Sequence, residues 1–132
     1  MTSMTGLGIT TVVIDCRDPY RLARFWADAL GYQPSEGPDD WADLRSEADA
    51  GELNWVRLTG AGVAVAFQRV PESKAVKNRV HLDLASSDEE TEASRLEALG
   101  AVRLWRSDDP EDVFVVLADP EGNEFCVVRV KA

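Results

Sequence analysis

The chain has 132 residues, enough for one domain of ordinary size whose core needs neither a metal nor disulfide staples. Its 24 acidic residues against 14 basic ones leave a net charge of −10 with no basic cluster, which argues against nucleic-acid and anionic-membrane partners, and no apolar run approaches the roughly 20 residues of a membrane-spanning helix. Cys16 and Cys126 stand far apart and form no CxxC pair, so a disulfide framework or a redox motif is not expected, and the opening MTSMTGLG lacks the basic and apolar regions of a secretory leader, so the expected location is cytoplasmic.

The first segment, ITTVVIDC, predicts a strand ending at Cys16. Asp18-Pro19 then supplies an N-cap with proline at the first helical position, where its missing N–H costs nothing. Leu22, Phe25, Trp26, Ala29 and Leu30 recur at helical spacing on one face, and Gly31 provides the left-handed stop. Residues 34–52 read as the longest irregular stretch, a solvated loop or a flap carrying Trp41. WVRLTG (55–60) and VAVAFQRV (63–70) return to period two with β-branched residues, joined through the turn Gly60-Ala61-Gly62. A polar linker occupies 71–78.

The second half opens with HLDLASSD, whose His81 is the only histidine of the chain. Ser87 with Glu90 reads as a capping box, Leu96 and Leu99 face inward, and Gly100 ends the helix. A fainter strand is expected around Val102 to Trp105, and VFVVLA (113–118) and EFCVVRV (124–130) flank the turn DPEGN. The halves are one unit written twice: 9–32 lies on 79–102, with Asp18 on Asp88 and Ala29-Leu30-Gly31 on Ala98-Leu99-Gly100 after one residue of slack. Each half reads β-α-β-β-β, which makes the chain α+β.

These features, HLDLASSD at the second strand, ALG closing each helix and LADPEGNEFCVV near the end, resemble the vicinal oxygen chelate (VOC) superfamily, and within it the short glyoxalase-like proteins of actinobacterial type. The resemblance covers roughly residues 7 to 130. It implies a glyoxalase/bleomycin resistance/dihydroxybiphenyl dioxygenase-like fold: a single domain over 1–132, with modules at about 7–70 and 79–130 forming a curled mixed-sheet cup, and a homodimer. It also implies four ligand positions in the metal-dependent members. These fall here on Thr11, on Gln68 when Phe67 is laid on Phe125, on His81, and on Cys126, four residues after Gly122. Three of the four are not the usual imidazole or carboxylate, so no metal is expected.

His81 is the candidate catalytic acid–base, with Asp83 on its strand face by period two and Glu124 on that of Cys126. Cys126 reads either as a small buried hydrophobe or as a nucleophile paired with His81, and Gln68 either as a ligand-orienting amide or as a partner for backbone. Trp26 belongs to the core. Trp41, Trp55 and Trp105 suit either an aromatic pocket wall or packing.

The expected function is a small-molecule-binding protein or metal-independent enzyme with a degenerate metal site, its ligand held by Thr11, Trp41, Trp55, Gln68, His81 and Cys126. The alternative is a lyase, isomerase or dioxygenase with one divalent ion (Fe, Mn, Ni or Zn) on His81, Gln68, Cys126 and Glu124, with Asp83 a further donor. A purely structural subunit would instead fill its cup with side chains.

Overall fold

A computed structural model describes residues 6–37 and 40–130. Residues 1–5 of the stretch read for a leader, and 38–39 within the 34–52 stretch, lie outside the described residues. The chain divides into two compact units, Met1–Glu72 and Ser73–Ala132. Each is a βαβββ module built on a four-stranded mixed sheet, so the α+β class and the duplicated architecture both hold.

In the first unit β1 (Thr11–Cys16) leads into α1 (Pro19–Leu30), and the sheet is completed by β2 (Gln33–Ser35), β3 (Trp55–Thr59) and β4 (Ala64–Arg69) in the order β1-β4-β3-β2. β1 and β4 run parallel and the other pairs antiparallel. Asp18 caps α1 by accepting the Arg21 N–H at 3.1 Å, and Gly31 ends it at φ 71°, donating to the Ala27 carbonyl. Leu22, Ala23, Phe25 and Trp26 of α1 are buried against β3 and β4, where Val56, Leu58, Val65 and Phe67 share one face. Each such fully buried large side chain contributes about 1.5–3 kcal/mol. This apolar layer fixes which sheet face meets the helix and which does not.

The stretch expected to be irregular, 34–52, holds the end of β2, paired with β3 through Pro34 and Ser35, and a helix, α2 (Trp41–Asp49). Asp40 caps it through the Ala42 N–H at 2.7 Å, and only Leu44 of the helix is buried. It docks on α1 instead of closing as a flap: the Trp41 ring meets Tyr20 edge-on at 5.9 Å between centroids, and the Arg24 guanidinium lies 4.6 Å over it.

The second unit repeats the plan with β5 (Leu82–Ser86), α3 (Glu89–Leu99), β6 (Val102–Arg106), β7 (Phe114–Ala118) and β8 (Glu124–Arg129), ordered β5-β8-β7-β6. The cap of α3 is Asp88, one residue later than the expected Ser87: its carboxylate accepts the Thr91 N–H on Oδ1 (3.1 Å) and the Thr91 hydroxyl on Oδ2 (2.7 Å), with one charged oxygen for each donor. α3 buries Ala93 and Leu96, a thinner apolar stripe than that of α1, and also Glu89. That carboxylate is met by Arg129, with Nη2 to Oε2 at 3.0 Å, and by Arg106 at 3.4 Å. The β7–β8 hairpin is held by Asp119, whose buried carboxylate accepts the N–H groups of Glu121 (2.9 Å) and Asn123 (3.0 Å) and the Asn123 amide, while Gly122 takes φ 87°. Among the described residues no helix is long and apolar enough to cross a membrane.

Candidate functional site

Side chains alternate across each sheet, so the face turned away from the helix is given by register. In the second unit one cross-strand row on that open face runs Trp105, Val116, Cys126, Asp83. His81 stands just before β5 with the same parity as Asp83, and its Nε2 lies 3.2 Å from the Asp83 Oδ1. One donor atom from each of His81, Asp83 and Cys126 lies within 4.8 Å of the others. On β6 and β7 of the same sheet the Trp105 and Phe114 rings meet edge-on at 5.3 Å.

The thiol of Cys126 is pushed up from its ordinary value, first by burial, then by the Asp83 charge and by its hydrogen bond to that carboxylate. It therefore stays a neutral S–H at physiological pH, and the arrangement disfavours the expected pairing of a Cys126 thiolate with His81 as base. Glu124, two residues before Cys126, has its carboxylate engaged elsewhere. Lys74 Nζ sits 3.1 Å from Oε1, and the Asn78 N–H donates to Oε2 at 3.1 Å. Burial works to raise its pKa, but the Asn78 N–H and the Lys74 ammonium outweigh it and leave the group ionised and below its usual range. Glu124 thus straps the 74–78 segment to β8, and Asp83 is the carboxylate that stands with His81 and Cys126.

In the first unit the open face carries Thr11, Val13 and Asp15 of β1, Ala64, Ala66 and Gln68 of β4, and Trp55 and Arg57 of β3. Trp55 and Gln68 are register partners and both are exposed, Trp55 by 40%. Thr11 accepts a hydrogen bond from Arg57 Nε at 3.1 Å, and Arg57 Nη1 donates to Ser35 Oγ at 3.3 Å. Arg57 was hidden among scattered basic residues. The alternation that placed Trp55 on the open face places it there too, two residues on.

The strand register also corrects the pairing of Gln68 with Cys126. The Val70 N–H donates to Cys16 and the Val130 N–H to Ser86, and Arg69 and Arg129 are the register partners of those same residues, each two positions before its helix cap. Counted from there, the counterpart of Cys126 is Ala66, and that of Gln68 is Val128. The counterparts of His81 and Asp83 are Thr11 and Val13. Laying Phe67 on Phe125 misleads by two residues, because both strands put a buried phenylalanine on the helix side.

The nitrogen, oxygen and sulfur donors of His81, Asp83 and Cys126 are of the types that would hold a borderline divalent ion of the zinc type. Such an ion would have to displace the thiol proton that burial and Asp83 retain, which ties its uptake to pH.

A family model described as a glyoxalase-like domain matches residues 11–128. No curated protein matches the chain. Among solved structures, the chain is similar to a glyoxalase/bleomycin resistance protein/dioxygenase family enzyme from Burkholderia phytofirmans PsJN, at 17% identity, covering 95% of this chain and 100% of that one with a TM-score of 0.70. It is similar to a mutant of the fosfomycin resistance protein FosX from Listeria monocytogenes, complexed with Mn(II) and 1S,2S-dihydroxypropylphosphonic acid, at 11% identity, 92% and 88% coverage and a TM-score of 0.69. It is also similar to the bleomycin-binding protein of Streptomyces verticillus, complexed with copper(II)-bleomycin, at 12% identity, 95% and 98% coverage and a TM-score of 0.60. At these identities the likeness is one of fold.

Proposed function

The chain belongs to the glyoxalase-like domain family of the VOC superfamily, and from that premise we propose that it is a small-molecule-binding protein working without a resident metal. The observation that carries this reading is the concentration of polar and aromatic groups on the sheet faces that the helices leave open: Thr11, Trp55 and Gln68 on the first, His81, Asp83 and Cys126 on the second. A core-building face would be apolar. His81 and Asp83, both more than half exposed, offer a donor and an acceptor to a ligand, and His81 is the group able to exchange a proton with it. The neutral Cys126 thiol serves as a soft, half-buried contact. The neighbours that hold bleomycin and a phosphonic acid support small-molecule binding. The proposal includes a homodimer, as the family resemblance suggests, and a cytoplasmic location, as expected from the sequence.

A second reading is favoured by the three donors within 4.8 Å. Here a divalent ion on His81, Asp83 and Cys126 would supply Lewis-acid polarisation of a ligand oxygen, and the protein would be a lyase, isomerase or dioxygenase. His81 would bind as the neutral imidazole through one nitrogen, and Asp83 would then hold the metal in place of the His81 contact.

Elemental analysis of protein purified without added metal, with mass spectrometry of any ligand it retains, separates the two. The first reading expects well below one equivalent of Fe, Mn, Ni or Zn and a titratable organic ligand. About one equivalent of metal, lost in His81→Ala, overturns it in favour of the second.

A further inference from the structure

We propose that the open face of the first sheet carries an oxyanion subsite centred on Arg57, and that the ligand is a flat apolar or aromatic molecule bearing a carboxylate or phosphate group. This rests on the small-molecule-binding reading and names the ligand class for it.

Arg57 rises from β3 at the register of Ala66, yet its Nε bonds Thr11 on β1, two strands away, while Nη1 bonds Ser35 on β2 at the opposite edge. Backbones at the edges of a flat four-stranded sheet would be about 14 Å apart. One guanidinium reaching both edges is consistent with a sheet curled toward this face, and Ala64 and Ala66 between them, both buried, are small enough for it to lie across the sheet. The side chain is only 24% exposed, so the charge sits in a partly desolvated position of a protein carrying −10. By register the counterpart of Arg57 in the second unit is Val116, and that sheet folds without any cation there. The fold does not require this arginine.

Its hydrogen bonding is incomplete in a way that suits a ligand. Thr11 and Ser35 are neutral acceptors that orient the fork, and Glu36 is its ion-pair partner among the described residues, with Oε1 3.3 Å from Nε. Nη2 meets no protein acceptor among the described residues. A carboxylate or phosphate binds an arginine most strongly through two parallel N–H groups, and among the described residues no hydrogen-bonded carboxylate fills such a pair. Glu36 is itself 57% exposed and sits at φ 70°, a left-handed conformation uncommon outside glycine, next to Gly37 at φ 64°. It acts as an internal counter-ion that an incoming oxyanion displaces. Trp55 precedes Arg57 by two residues on the same face, about 7 Å along the strand, and its exposed ring offers a stacking surface for the apolar body.

The test uses benzoate, inorganic phosphate and neutral benzamide, titrated into the full chain while the Arg57 Nε–Hε resonance is followed by NMR. Benzoate should shift that resonance and bind at least about tenfold more tightly than benzamide. Arg57→Gln should remove that preference and leave benzamide unaffected. Glu36→Gln, at an exposed position that does not threaten folding, should tighten benzoate by about threefold to tenfold by removing the competitor. A silent Arg57 resonance with both anions, or benzoate binding that is unchanged in both variants, overturns the subsite. Benzamide binding with Arg57 unmoved overturns it while leaving small-molecule binding intact. Phosphate binding without any gain from the benzoate ring keeps the oxyanion site and overturns the aromatic part of the ligand class.

Discussion

Asp83 and Cys126 face each other across β5 and β8 as register partners, and the carboxylate acts on the thiol both by its charge and as a hydrogen-bond acceptor. Burial is the larger influence, and both push the thiol pKa up. The pair is therefore a proton-retaining one, the reverse of the imidazole-activated cysteine that the sequence alone allows.

Asp83→Asn should lower the Cys126 pKa and speed its alkylation by iodoacetamide several-fold at pH 8, without reaching the rate of an exposed cysteine, since desolvation remains. Peptide mass spectrometry of the alkylation rate against pH checks this. Cys16, 2% exposed and on the helix-covered side of its sheet, is the slow internal control. An unchanged or slower rate at Cys126 would show that the carboxylate does not act on the thiol.

Glu89 is held at about 2, below its usual 4.5, chiefly by its hydrogen bond to Arg129, with burial opposing and Arg106 assisting. Because the folded value lies below the unfolded one, this contribution is complete above about pH 4.5 and is lost as the pH falls toward 2. Glu90, paired with Arg103 and Arg106, is shifted the same way and adds to the loss. Thermal melts from pH 7 to pH 3 should show a falling midpoint. Glu89→Gln should cost about 1.5–3 kcal/mol at pH 7 and flatten the acid limb of that profile. A parallel fall in wild type and variant would mean Glu89 carries none of it.

Local signals read α1 and the longer strands well, because the helix has a cap, a period and a stop of its own and those strands alternate over five or six residues. β2, three residues running into the stretch read as irregular, is too short to show a period. α2 escaped because its burial rests on Leu44 alone, while Trp41 finds its partners, Tyr20 and Arg24, on another helix; Asp40 before it and Gly51 after it were the available marks. Register depends on pairing across strands, which no local pattern contains, so Ala66 was passed over for Gln68. The trio His81, Asp83 and Cys126 was half visible: period two joined His81 to Asp83, but only the β5–β8 pairing sets Asp83 against Cys126, and only Lys74 and Asn78 withdraw Glu124.

Gly60 should tolerate no side chain. A Cβ there would lie 2.2 Å from Cδ1 of Tyr32, whose hydroxyl donates to the Val63 carbonyl at 2.9 Å and pins the ring over the β3–β4 turn. Gly60→Ala is expected to cost about 1–3 kcal/mol in urea unfolding, and in the Tyr32→Ala background most of that cost should vanish. Additive losses in the double-mutant cycle would place the strain elsewhere.

The Glu124 strap should decide where His81 stands. Its carboxylate holds Lys74 and the Asn78 N–H, three residues before His81, while the Asn78 amide donates to the Glu124 carbonyl at 3.1 Å. Glu124→Ala removes two charge-assisted contacts and leaves the Asn78 N–H without its acceptor, so that amide should exchange with solvent about tenfold to a hundredfold faster, and trypsin should cut sooner at Lys74, Lys77 and Arg79. Glu124→Gln, which keeps an acceptor for Asn78 but not the pairing with Lys74, should fall between. If the strap positions the imidazole, the His81 ring resonances will move in Glu124→Ala while those of the Tyr32 ring, which belongs to the first unit, stay put. A His81 signal unchanged in a protein whose 74–79 segment has become protease-sensitive would separate the linker from the site.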